Sequence, residues 1–185
     1  MQSPRIEEPV RSVADDLLLK RARSETELDA VLESHLAAFG DEDGTVLRAH
    51  LSARPGSRPE NVIYVEDPRT EKVASSVSFF TQTWCYEGIP FKVGEVGIAS
   101  TRKGYRGRGL VREQFKTYHR MARRAGCLLS VIQRIGYFYR QFGYEYIIPM
   151  GGGFKLQSEQ VPDPEDGEDS AYAVREAEDK DILCL

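Results

Sequence analysis

Apolar residues at Leu28, Val31, Leu32, Leu36 and Phe39 recur at the spacing of one helix face. The segment opens on Ser24 and Glu27, a capping box in which the serine oxygen takes an N3 amide and the glutamate reaches back to the cap; Gly40 is placed to stop it. Ahead of it Leu17-Leu18-Leu19-Lys20-Arg21 reads as a first strand, and beyond it a shorter helix is expected to include Val46, Leu47, His50 and Leu51. The pattern then changes. Val62–Glu66, Lys72–Tyr86 and Phe91–Thr101 are rich in β-branched and aromatic residues and are separated by turns at Asp67-Pro68-Arg69 and Glu87-Gly88-Ile89-Pro90, which predicts three antiparallel strands. A helix-like run from Leu110 to Arg124, an apolar run from Leu128 to Ile132 and an aromatic-rich stretch from Gly136 to Glu145 complete the series. The order β-α-α-β-β-β-α-β-α-β predicts an α/β (α+β) protein with a mixed sheet flanked by helices.

The passage from strand to helix carries the clearest chemistry. Gly104-Tyr105-Arg106-Gly107-Arg108-Gly109-Leu110-Val111-Arg112 combines glycines that let backbone N–H groups converge, a helix start with unpaired donors, and interleaved arginines. A pyrophosphate suits such a cradle. A P-loop would need Gly-Lys-Ser/Thr at the helix start, and a dinucleotide fold Gly-x-Gly-x-x-Gly with an acid about 20 residues on; neither occurs.

The loop resembles the acyl-CoA loop of the GNAT N-acetyltransferases, whose signature reads Arg/Gln-x-x-Gly-x-Gly/Ala between the fourth strand and the next helix. Arg106 and Gly109 fill its first and fourth places, and the bulkier Val111 stands at the sixth. Downstream, Tyr139-Arg140-Gln141-Phe142-Gly143-Tyr144 resembles the family's element of a Tyr followed, after three residues, by Gly-Phe/Tyr. The segments Arg108-Gly109-Leu110-Val111-Arg112 and Phe138-Tyr139-Arg140-Gln141-Phe142-Gly143-Tyr144 look most like the Eis-type branch (enhanced intracellular survival), known for acetylating aminoglycoside amines. The resemblance covers roughly residues 17 to 156. It implies the GNAT fold, with parallel fourth and fifth strands that splay apart, and transfer of acetyl from acetyl-CoA, the co-substrate, to a primary amine by direct attack. The other class of function it allows is an acyl-CoA-binding sensor or assembly module without catalysis.

Charge agrees with a small polyanionic ligand. Net charge is −4, but residues 157–185 hold ten acids against Arg175 and Lys180, a net of −8, which leaves +4 on the rest. Residues 102–124 concentrate nine Lys/Arg against Glu113 alone. A basic loop and helix within an acidic chain point away from a nucleic-acid surface. No apolar run approaches the 18 or so residues that cross a bilayer and the N-terminus lacks a secretory apolar core, so a cytoplasmic protein without a membrane partner is expected. Cys85, Cys127 and Cys184 are widely spaced without a His cluster; neither a disulfide framework nor a metal site is expected. Residues 1–16 read as an N-terminal arm, 17–157 as the acetyltransferase domain and 158–170 as an acidic linker. Residues 171–185 read as either the opening of a second GNAT-like domain or a C-terminal extension. The acceptor amine is not legible, and a homo-oligomer is left open.

By resemblance, pantetheine lies along Ala99-Ser100-Thr101, the pyrophosphate among Gly107, Arg108, Gly109, Leu110, Val111 and Arg112, and the thioester near Arg134 and Ile135. Tyr139 is the expected catalytic acid: a phenol with pKa near 10 stays protonated and can supply the proton that a departing thiolate needs. Glu95 lies in the strand where several family members place a base, with a structural role left open. Tyr137, Phe138, Phe142 and Tyr144 are expected in the core. Arg102, Lys103, Arg120, Arg123 and Arg124 are expected as solvated surface charge, and His35, His50 and His119 as core or surface residues. Trp84 is read as a sheet residue or a wall of an acceptor cleft.

Overall fold

The computed structural model describes residues 10–40, 48, 49, 51, 57–133, 135–148, 175, 176 and 178. Six strands hydrogen-bond in chain order: β1 (Arg11–Ser12), β2 (Leu18–Arg21), β3 (Val62–Asp67), β4 (Lys72–Tyr86), β5 (Ile89–Thr101) and β6 (Leu129–Ile132). Every neighbouring pair is antiparallel except β5 with β6, which is parallel. Two long helices, α1 (Glu25–Phe39) and α2 (Leu110–Arg124), and a short turn α3 (Gly136–Tyr139) continued by a 3-10 turn at Arg140–Phe142, complete the described elements. This is the expected mixed α/β fold. Its fourth and fifth expected strands are β5 and β6, because β1 adds one at the start.

The two long helices take opposite faces of the sheet. Ser75 and Ser76 are neighbours in β4, so their side chains point to opposite sides. Ser75 Oγ lies 2.8 Å from Gln114 Oε1 of α2, while Ser76 Oγ lies 3.2 Å from His35 Nε2 of α1. Each helix buries its own apolar set against the strands. Leu19, Val77, Phe79 and Val96 meet Leu110, Phe115 and Tyr118 on the α2 side; Val62, Tyr64 and Val73 meet Leu28 and Val31 on the α1 side. Ser24 caps α1 by accepting the Glu27 N–H (3.3 Å), and Gly40 ends it at φ 98° with its N–H on Leu36 O (2.8 Å). The reciprocal arm of the capping box reaches one residue further than expected, since Glu27 Oε2 accepts from Arg23 N–H (2.6 Å).

A bulge in β5 opens the sheet. Val77 pairs with Ala99 but Phe79 with Val96, so β5 carries one extra residue at Gly97–Ile98. Ser78 Oγ accepts the Ile98 N–H (2.8 Å), and a Cβ on Gly97 would lie 2.5 Å from side-chain atoms of Phe80 and Ser78, so only glycine fits there without displacement. The parallel ladder with β6 runs from Val93↔Leu129 to Val96↔Ile132 and ends where the bulge begins. Past that point the β5 edge turned away from β4 has no strand partner among the described residues. The expected splay thus begins at the bulge.

Two details differ from the sequence reading. Part of the expected arm is structured, because Arg11–Ser12 pairs with Leu18–Leu19 and Ala14–Asp16 form a 3-10 turn. No strand follows Tyr144 within the residues described up to Ile148. The chain divides into two compact units, Met1–Ile148 and Pro149–Leu185. The expected linker and the segment 171–185 lie almost wholly outside the described residues, as does most of the helix expected around Val46–Leu51.

Candidate active site

The splay, the loop before α2 and the turn α3 enclose a cavity of about 600 Å³, within the range typical of small-molecule sites. Its wall contains Ala99, Ser100 and Thr101 from the unpaired β5 edge, Gly107 to Arg112 from the loop and helix start, and Ile135 and Tyr139 from the far side. These are all the cofactor and catalytic positions expected from sequence apart from Arg134, which lies outside the described residues. The cavity also takes Ala38 and Phe39 from the end of α1 and Phe138, Gln141 and Phe142 from the turn after β6. Phe39 looked like a core position, since it completes the apolar face of α1. It is instead exposed at the cavity wall.

The loop builds a nest of donors. Gly107 (φ 78°) and Gly109 (φ 75°) are left-handed, a conformation that costs most other residues about 1–2 kcal/mol. Gly109 is the N-cap of α2, and the first intrahelical bond of this turn runs from Glu113 N–H to Gly109 O (3.3 Å). The N–H groups of Leu110, Val111 and Arg112 are therefore not used by the helix, and the positive end of its dipole faces the cavity. An anion is the complementary guest.

The arginines around this nest are held in place. Arg106 Nε donates to Thr101 O (3.2 Å), closing the loop back onto β5. Arg108 donates to Gly104 O (3.0 Å) and to Asp15 (3.1 Å), and its guanidinium lies 5.2 Å from the Tyr105 ring centre. Tyr105 is anchored in turn, its hydroxyl donating to Asp67 (2.9 Å). The Asp67 carboxyl is held far below the usual carboxylate range, first by the bidentate Arg69 guanidinium. Arg112 donates to Gln141 (2.8 Å) and covers the Phe142 ring at 5.5 Å. Asp15 was missed by sequence reading; nothing local marks a residue whose partner is 93 positions away.

Tyr139 is buried with its ring stacked on Phe115 (5.8 Å between centres, 25° between planes), and Phe115 also stacks on Phe142 at 4.5 Å. Burial pushes the Tyr139 phenol above its ordinary value, so it stays protonated through the neutral range. Next to it, Ser130 Oγ lies 2.6 Å from Tyr118 Oη and 2.5 Å from Tyr144 Oη, and burial likewise raises both phenols. Gly94 gives Tyr118 its room, since a Cβ there would lie 3.0 Å from the hydroxyl. Tyr144 and Phe142 join this aromatic core as expected, but Tyr137 does not: it is 78% exposed, because one helical turn cannot put both 137 and 139 inward. Arg102 also departs from expectation. Its side chain is only 19% exposed, donating to Ser34 (3.2 Å) and Glu33 (3.1 Å) of α1.

Glu95 is not part of the cavity wall. It sits one residue before the last β5–β6 pair, on the face opposite α2, and accepts a hydrogen bond from Gln82 Nε2. Gln82 Oε1 accepts the Trp84 indole N–H (2.7 Å).

A six-stranded mixed sheet, split between parallel strands over a glycine-rich anion nest, defines the class. The chain belongs to the GNAT acetyltransferase family, since residues 20–147 match the model of the Acetyltransferase (GNAT) domain. No curated protein matches the sequence. Among solved structures, an acetyltransferase from Trypanosoma brucei superposes with a TM-score of 0.55 at 20% identity, over 77% of this chain and 99% of that one. Glucosamine-6-phosphate N-acetyltransferase from Arabidopsis thaliana gives 0.55 at 15% identity, over 75% and 99%. A GCN5-related N-acetyltransferase from Kribbella flavida gives 0.57 at 23%, over 71% of this chain but 33% of that longer one. These likenesses show a shared fold. Among the described residues no helix is long and apolar enough to cross a membrane.

Proposed function

We propose that this protein transfers acetyl from acetyl-CoA to a primary amine within a ternary complex. The observation that carries the reading is the continuity of the cavity, which joins the N–H nest at Gly109 to the unpaired β5 edge at Ala99–Thr101 and ends against Tyr139. A diphosphate fits the nest, and an extended amide-containing arm fits an open strand edge. Acetyl-CoA supplies the electrophilic thioester carbonyl. The Tyr139 hydroxyl supplies the proton taken up by the departing thiolate, and the proton that the amine nitrogen loses on becoming the amide returns through solvent to the Tyr139 oxygen. Residues 17–157 are assigned as the domain that does this. The assignment to the Eis-type branch rests on the segments 108–112 and 138–144 alone.

The test is acetyl-CoA-dependent thiol release across a panel of primary amines. Amine-dependent release above the rate of thioester hydrolysis is expected. Binding of acetyl-CoA with no release for any amine would instead support a non-catalytic acyl-CoA sensor.

A further inference from the structure

We infer that Gln141 is a positioning residue that ties the anion nest to Tyr139, so that an anion held at Arg112 fixes the turn carrying the tyrosine. This deepens the acetyltransferase reading above and rests on it for the role of the Tyr139 hydroxyl, but not for the tie itself. Two hydrogen bonds make the tie. Arg112, in the first turn of α2, donates from Nη2 to Gln141 Oε1 (2.8 Å), and Gln141 Nε2 donates to Phe138 O (2.9 Å), the carbonyl of the peptide that joins Phe138 to Tyr139. The amide has one workable orientation. A guanidinium only donates and a carbonyl only accepts, so Gln141 must show its oxygen to Arg112 and its N–H to Phe138. Arg112 and Gln141 both stand in the cavity wall, so the tie runs along the site from the nest to the tyrosine.

The turn depends on outside contacts for its place. α3 has four residues, Gly136–Tyr139, and follows Ile135, whose backbone is left-handed (φ 45°). A single helical turn gains too little from its own hydrogen bonds to hold a position, so contacts with α2 set that of Tyr139. The rings of Tyr139 and Phe142 stack on Phe115 of α2, a burial that is largely non-directional. The two Gln141 bonds are directional. Of the arginines in the wall, Arg106 and Arg108 are bonded to Thr101, Gly104 and Asp15, none of them in the turn, while Arg112 reaches it. Arg112 and Gln141 are both exposed, so without a ligand their bond competes with water. A guanidinium has several N–H donors and can hold an anion and Gln141 together. A diphosphate in the nest immobilises the Arg112 head and sheds water from it, which strengthens the bond to Gln141 and narrows the positions open to Tyr139. The proton donor is thereby set when the cofactor is in place.

The tie can be read at Tyr139 without any amine. Intact protein with isotope-labelled tyrosine rings is followed by NMR as inorganic pyrophosphate is added, a probe with no arm to lie along the β5 edge. Calorimetry follows its binding, and loss of a signal in Tyr139→Phe identifies the tyrosine. The Tyr139 signal is expected to move as the nest fills. Gln141→Leu should lose most of that movement while binding pyrophosphate within about threefold of the parent and melting near the parent temperature. With a competent amine and saturating acetyl-CoA, Gln141→Leu should lower turnover by about tenfold or more, and by nothing further in the Tyr139→Phe background, because it acts through that hydroxyl. Equal losses in both backgrounds would mean a role in packing alone and overturn the inference. So would bound pyrophosphate with the Tyr139 signal unmoved, or moved equally in Gln141→Leu; either result leaves the acetyl-CoA site standing. The parent's own response needs no variant, so a poorly folding mutant does not remove the test. Pyrophosphate that fails to bind would overturn the nest and the inference together, and turnover unchanged by Tyr139→Phe would remove the acid role and the inference with it.

Discussion

The Asp15 carboxylate stands 3.1 Å from the Arg108 guanidinium, so this arginine of the cavity wall carries a protein counter-ion before any ligand arrives. Asp15 is held there by an unusual turn, since it and Asp16 both have left-handed backbones (φ 57° and 60°). A polyanion entering the nest competes with Asp15 for Arg108. Asp15→Asn is therefore expected to tighten acetyl-CoA binding by about two- to fivefold, the modest size following from the exposure of both partners. Calorimetry at low and high salt checks this: the gain should shrink as salt rises, and weaker binding by the variant would contradict it.

Gly109 separates charge from backbone strain. A Cβ there meets nothing within 4 Å, so the cost of any side chain comes from its φ of 75°. Gly109→Ala and Gly109→Asp should each lose about 1–2 kcal/mol of stability, from that strain alone. Only the aspartate should cut acetyl-CoA affinity by about tenfold or more, through repulsion of the diphosphate. Equal affinity losses in the two variants would mean that geometry, not charge, governs the nest.

For Tyr139→Phe the ring packing on Phe115 is kept and only the hydroxyl goes. Amine-dependent turnover should fall by about 10²- to 10⁴-fold, with the acetyl-CoA dissociation constant within about twofold of the parent's, a ratio under 0.5 kcal/mol. Because burial raises this phenol, the parent's activity should show no basic limb from it below about pH 10. Unchanged turnover would remove the acid role.

His35 offers a test of the α1 interface. Its Nδ1 has no hydrogen-bond partner among the described residues, and burial pushes the imidazole from 6.5 down to about 4. Above about pH 6.5 it is neutral in folded and unfolded chains alike. As pH falls below that, the unfolded chain takes up a proton that the folded one refuses, and stability drops until folded His35 itself titrates near pH 4. The full loss is about 3 kcal/mol. Urea unfolding of the parent and His35→Gln from pH 7 to pH 4 should show the parent losing more, by up to that amount; parallel pH dependences would contradict it.

How much of this was legible depended on whether the signal was local. The α1 cap at Ser24, the limits of β4 at Lys72 and Tyr86, and the Gly109–Leu110 start of α2 are set by neighbouring residues, and all stand where the pattern put them. One side of the cavity wall is a single stretch of chain, because loop, helix start and strand edge are consecutive from Ala99 to Arg112. What escaped depends on distant contacts. The two residues of β1 pair only because β2 runs beside them, Asp15 gains its role from Arg108, and Arg102 is covered by a helix more than 60 positions earlier. The opposite fates of Tyr137 and Tyr139 turn on the phase of a four-residue helix, too short for any periodicity to reveal.

Whether the nest and the opened strand edge form one acyl-CoA site is read by calorimetric titration of the folded protein with acetyl-CoA. One site per chain is expected, with a dissociation constant below about 100 µM, or roughly −5.5 kcal/mol, competed by CoA and weakened by added pyrophosphate. Absence of binding at millimolar acetyl-CoA, in protein whose unfolding transition is intact, would contradict it.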